Sequence, residues 1–150
     1  MLYSDVAALQ KKNGADRVKT TELHGRIRVC VVDTKVTAAE DTVTLVRFPA
    51  GRIRILGTSN VAAKLATGAT TISVGYAAYK DPVFVDVLAD EDALMKATAA
   101  SGMATGVPLG AAGPSGIVIE SADGVDIIAK LSAAAAVNDT ITGIILYVVD

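Results

Sequence analysis

Cysteine is nearly missing from this chain: Cys30 is the only one in 150 residues. An intramolecular disulfide is therefore impossible, and disulfide-stapled secreted scaffolds, zinc fingers and iron-sulfur sites are excluded with it. Histidine is as scarce, with His24 alone, so a His-rich metal site of the cupin kind has no ligand set. Tryptophan is absent and aromatics make up 4%, which leaves little to stack on a sugar ring or a nucleic-acid base. The longest strongly apolar run, Ile141 to Val149, is interrupted by Thr142 and Gly143 and falls far short of the ~20 residues that span a bilayer. The opening residues place Asp5 before Lys11 and Lys12 without the apolar stretch of a secretory signal. These absences set the expectation of a soluble protein that stays in the compartment that made it or leaves by lysis.

What is present is aliphatic. Half of the residues are apolar (51%) against 20% charged, and the mean hydropathy is +0.45. A chain of this length buries roughly 70% of its unfolded surface as one domain; the excess of aliphatic over charged residues implies surface covered by a partner or a sister subunit. Charge is uneven. Residues 1–54 hold ten Lys/Arg and six acids, residues 55–150 four and ten.

Strand signals outnumber helix signals. Arg26 to Val31 alternates Ile27, Val29 and Val31 with Arg26, Arg28 and Cys30, the period-2 pattern of a half-buried antiparallel strand with the aliphatic row inward. Thr42–Phe48 and Arg52–Ile55 repeat it around Pro49-Ala50-Gly51 and read as neighbouring strands joined by a short turn. Thr70–Tyr76 is a further strand whose Gly75 implies a bulge or a close backbone approach; Gly116–Glu120, Val125–Leu131 and Thr140–Val149 follow. Asp90–Thr98 opens with three acids, continues in good helix formers and stops before Ser101-Gly102, which predicts one short helix. A second, shorter helical stretch is Asp5–Lys12, with Ser4 as its cap. About seven strands and little helix point to an all-β fold, a jelly-roll β-sandwich with one short helix and an extended N-terminal arm.

No catalytic set emerges. His24 lacks a positioned partner, and Cys30 sits among β-branched neighbours where it packs as a small hydrophobe. Asp81, Asp86, Asp90, Glu91 and Asp92 lack the order of a calcium loop, and helix-start and solubility duties account for them. The Gly-rich run Ser101–Gly116 has no Gly-Lys-Ser/Thr ending and two prolines, so it reads as a long mobile connection rather than a phosphate cradle. Arg26, Arg28, Arg52 and Arg54 read as a solvated sheet face or as a complement to an acidic protein surface. The expectation is a non-enzyme with no cofactor, no metal, no small-molecule substrate and no nucleic-acid or membrane partner.

The order of parts nevertheless resembles a known family. Glu22-Leu-His-Gly25 ahead of the first strand, Phe48-Pro-Ala-Gly51 leading into Arg52-Ile-Arg-Ile55, Thr71-Ile-Ser-Val-Gly75, the acidic start at Asp90 and the closing Gly143-Ile-Ile-Leu-Tyr147 together resemble the jelly-roll decoration (cement) proteins of tailed-bacteriophage heads. The resemblance spans about Glu22 to Tyr147, and Phe48 stands where a smaller aliphatic is expected. It implies a virion structural protein on the outer capsid surface, made in the host cytoplasm, trimeric, and clamping neighbouring major capsid protein subunits; a binding module of a phage tail or fibre is the alternative. On this reading residues 1–22 form an arm and residues 23–150 the decoration domain. Leu2, Tyr3, Val6 and Leu9 would be the arm's buried anchors, with Lys11, Lys12, Arg17 and Lys19 adding steering and register.

Overall fold

The computed structural model describes residues 27–35, 41–65, 71–99, 106–111, 113, 116–133 and 139–149. Twelve strands are formed there: β1 Arg28–Lys35, β2 Thr42–Phe48, β3 Gly51–Ile55, β4 Asn60–Lys64, β5 Thr71–Tyr76, β6 Tyr79–Lys80, β7 Asp86–Val87, β8 Asp90–Ala99, β9 Val107–Pro108, β10 Ile117–Ser121, β11 Val125–Leu131 and β12 Thr140–Val149. All pairings are antiparallel. Among the described residues there is no helix.

One sheet is organised by β12, the long closing strand. Along one edge it pairs with β1, from Arg28↔Tyr147 to Lys35↔Thr140. Along the other it pairs with β3 at Tyr147–Val149 and with β4 at Thr140–Ile144, so β3 and β4 run as one ribbon interrupted at 56–59. Ser59 fills the interruption: its buried hydroxyl accepts from Leu146 N at 2.9 Å and donates to Leu146 O at 3.3 Å. β10 and β9 pair in turn with β3 and β4. The second sheet has the order β2-β11-β5-β8.

Both sheets contribute to one core. Val32, Ile53, Ile55, Val61, Ile119, Ile141 and Ile145 of the first sheet meet Val43, Leu45, Ile72, Val74, Leu94, Ile127 and Leu131 of the second. The rings of Phe48 and Tyr147 span the two layers with centroids 4.7 Å apart. Thus Phe48 works as a core residue, buried to 3% exposure, and its bulk is accommodated by the tilted Tyr147 ring.

Four expectations change. First, Asp90–Ala99 is not a helix but the edge strand β8. Between Ile72↔Thr98 and Tyr76↔Asp90, β5 advances four residues while β8 advances eight, through two irregularities. Extra residues erase the period-2 alternation, and pairing with β5 overrides the helical propensity of Ala, Leu, Met and Lys. Second, β2 and β3 are not paired; the turn at Pro49-Ala50 carries the chain from one sheet to the other. Third, part of the Gly-rich run is pinned: Val107–Pro108 pairs with β4, and Leu109 is buried with its amide donating to Ser59 O at 2.7 Å. Fourth, β1 turns its other row inward. Register places Cys30 opposite Ile145 and Thr34 opposite Ile141, the core side of β12, so Val32 is buried while Ile27, Val29 and Val31 look into solvent. The close approach expected at Gly75 is found, since a Cβ there would overlap the carbonyl of Asp90. The Asp5–Lys12 stretch lies outside the described residues.

Candidate functional site

The residues expected to hold a partner, Leu2, Tyr3, Val6, Leu9, Lys11, Lys12, Arg17 and Lys19, lie outside the described residues, as do His24 and Arg26. Cys30 is half-buried against the core. Among the described residues no three His, Cys, Asp or Glu side chains gather as a metal site. The acids of 81–92 are instead divided among separate tasks: Asp86 pairs with Lys80 at 2.8 Å, Asp92 with Lys96 at 2.9 Å and Glu91 with Lys130 at 3.7 Å. Arg52 is drawn to Glu120 at 3.1 Å on the neighbouring strand.

Asp81 does something more local, and it builds the most distinctive surface among the described residues. Between β6 and β7 the chain reads Asp81-Pro82-Val83-Phe84-Val85. Asp is favoured at a turn start because its carboxylate accepts from the backbone two residues on, and Pro next to it presets the turn. Here the Asp81 Oδ1 accepts from Val83 N at 3.0 Å and from Val85 N at 2.8 Å. Phe84 N donates to Asp81 O and Asp81 N to Val85 O, both at 2.9 Å. The tip is thereby tied to a single residue, and its side chains are driven outward: Val83 is 74% exposed, Phe84 69% and Val85 58%, with Leu88 at 82% just beyond β7. Phe84 has φ +63°, a left-handed conformation unusual for a bulky residue.

The hairpin is also tied down at its base. Ala122 N donates to Lys80 O at 2.8 Å, and Ala77 N to Asp126 O at 2.9 Å. Arg47 reaches both carboxylate oxygens of Asp126 and the carbonyl of Asp123, each at 3.1 Å, joining β2 to the turn before β11. The rings of Tyr76 and Tyr79 meet edge-on at 5.6 Å. Burial pushes both phenols above their usual range, with the charge of Asp90 adding to the effect at Tyr76. Pro82 and Phe84 border a shallow cleft against Gly51, Arg52 and Ala122.

A second apolar surface lies on the outer face of the first sheet. Val29 faces Leu146 and Val31 faces Ile144 in register, and Val31 is 73% exposed. Among the described residues β1 pairs with β12 alone.

No protein-family model and no curated protein matches the chain. Its fold is shared with solved chains. One belongs to the cyanophage Pam1 capsid asymmetric unit, with 16% identity, a TM-score of 0.54, and coverage of 94% of this chain and 95% of that one. Another belongs to the acidic stable capsid structure of Helicobacter pylori bacteriophage KHP30, with 13% identity, a TM-score of 0.51, and coverage of 84% and 90%. The likeness is one of fold.

Sequence reasoning missed the hairpin. Its signal was there: an apolar run, Val83-Phe84-Val85, bracketed by Asp81-Pro82 and Asp86, is too short for a buried strand and carries turn chemistry at its start.

Proposed function

We propose that this chain is a decoration (cement) protein of a tailed-phage head. In this reading it is a non-catalytic jelly roll that binds the outer capsid surface as a homotrimer and ties neighbouring major capsid protein subunits together. The observation that carries the reading is the nearly full-length match in fold to a chain from a phage capsid asymmetric unit. The jelly-roll assignment is supported by strand order: one sheet takes β1, β12, β3–β4 and β9–β10, the other β2, β11, β5 and β8, so early and late strands alternate in both layers as in an eight-stranded double Greek key. An apolar surface kept in water beside a buried aliphatic core supports a structural partner.

The test is co-sedimentation of the purified full chain with expanded capsids that lack it. Saturable binding, with the shells gaining resistance to heat, supports the reading. Absence of binding to any shell overturns it. Deleting residues 1–22 is expected to weaken attachment while leaving the strand-dominated circular dichroism of the rest intact; unchanged attachment removes the arm from the clamp.

A further inference from the structure

Resting on that reading, we infer that the β6–β7 tip is the anchor by which the protein docks, with Phe84 entering an apolar socket whose rim is basic. The chain has two phenylalanines. One, Phe48, fills the core at 3% exposure, and the other is held in water by a backbone conformation that a bulky residue rarely adopts. Folding does not need it there. A tip of polar residues or glycine would satisfy the same turn and remove the strain, so the ring and the strain make sense through what they contact outside the chain.

Preorganisation argues the same way. Anchors carry binding energy when little ordering is left to do on association. At this tip the backbone is already fixed by the four hydrogen bonds at Asp81 and the base is packed through Tyr79, so the ring is presented rather than searching.

Charge identifies the partner's chemistry. Over residues 47–52, 79–90 and 120–126, which form this end of the molecule, there are six acids and three bases. The three bases are matched with Asp126, Glu120 and Asp86, which leaves Asp81, Asp90 and Asp123 as a surplus around the apolar tip. Surplus negative charge at the end that carries an apolar knob complements a socket rimmed by Lys and Arg, and is repelled by an acidic shell surface. The occupant is therefore a protein surface of the capsid with a basic-rimmed apolar pocket.

The test compares the full-length protein with Phe84→Asn, because Asn tolerates the left-handed conformation and so removes the ring without disturbing the turn. Phe84→Ala serves as a second variant. Binding to decoration-free shells is expected to weaken about thirtyfold in both, the size of a hot-spot loss, with an unfolding midpoint no lower than that of wild type and unchanged oligomeric state by light scattering. Asp123→Asn should slow association several-fold at low salt. If wild type binds shells and both Phe84 variants bind as tightly, the anchor is overturned while the decoration reading stands. If wild type binds no shell, both fall. If the Phe84 variants dissociate the oligomer in shell-free solution, the tip is a contact between copies and the inference is overturned in favour of self-association.

Discussion

The β6–β7 tip and the outer row of β1 put valines into water to the same degree, 74% for Val83 and 73% for Val31, but the two exposures arise differently. At the tip, one carboxylate fixes the backbone on either side of Phe84, and no inward-facing row requires the apolar residues that follow Pro82. In β1, Cys30 and Val32 pack inward, and valine at 29 and 31 favours the extended conformation whichever way the other face looks. The outer row of β1 has a structural reason to be apolar without any partner. The tip does not. Equal exposure thus carries different meaning: the far side of a paired strand comes with its inward row, whereas an apolar tip does not.

The largest expected effect tests whether the outer face is truly outside. Ile145 is fully buried opposite Cys30, while its neighbour Ile144 faces out beside Val31. Ile145→Ala should destabilise the fold by ~2–5 kcal/mol, and Ile144→Ala by no more than ~0.5 kcal/mol, read from urea unfolding midpoints. A loss at Ile144 equal to that at Ile145 would show that something covers this face in the folded protein and would erase the contrast.

Next in size is the frame of the tip. Asp81→Ala removes the acceptor for Val83 N and Val85 N, an arrangement similar in kind to a helix cap, where removal costs ~0.5–2 kcal/mol. The loss should be local: amide exchange at Val83 and Val85 accelerates, whereas the ladder amides of β1 and β12 stay protected. Unchanged exchange at both tip amides would mean that Asp81 does not hold the hairpin.

A change of sign separates the two surfaces further. Phe84→Gly relieves the left-handed strain and should leave stability unchanged or raise it by up to ~1 kcal/mol. In β1, Val31→Gly should lower stability by up to ~1 kcal/mol, because a strand loses its β-branched residue. Thermal unfolding of the two variants decides, and a loss at both positions would deny that Phe84 is strained.

The same contrast governs how much was legible from sequence. β2, β11 and β12 were readable to the residue because each is a run rich in β-branched residues bounded by turn signals, which survives even the irregularity of β11 at Ile127 and Ile128. In β1 the strand was readable but its inward face was not, since Ile27, Val29 and Val31 are the stronger aliphatic row and only the pairing with β12 reveals that Cys30 and Val32 face the core. β4, Asn60–Lys64, carries two alanines and little strand propensity, and exists because β12 offers it an edge. β8 hides behind its irregularities. The tip could be seen only by asking why Val83-Phe84-Val85 follows a turn signal and still stays apolar.

The smallest effect is expected at the hairpin base. Burial holds the Tyr76 and Tyr79 phenols above their usual 10.0, and at Tyr79 the charges of Tyr76, Asp81 and Glu120 add to burial. Because both values are raised on folding, the neutral phenols contribute stability that is fully present below pH 10.0 and is lost as pH rises through the folded-state values above it. The base should therefore be insensitive to pH around neutrality and loosen only in strong alkali. Tyrosinate absorbance in an alkaline titration reads this directly, with Tyr76 and Tyr79 ionising late. Asp81→Ala should bring the Tyr79 step back toward 10.0, since it removes a nearby negative charge and unties the strand above the ring, while Val31→Ser on β1 should leave both steps in place. If Tyr76 and Tyr79 ionise in wild type like free tyrosine, the base is solvated, and the tip loses the packed foundation on which its role as an anchor rests.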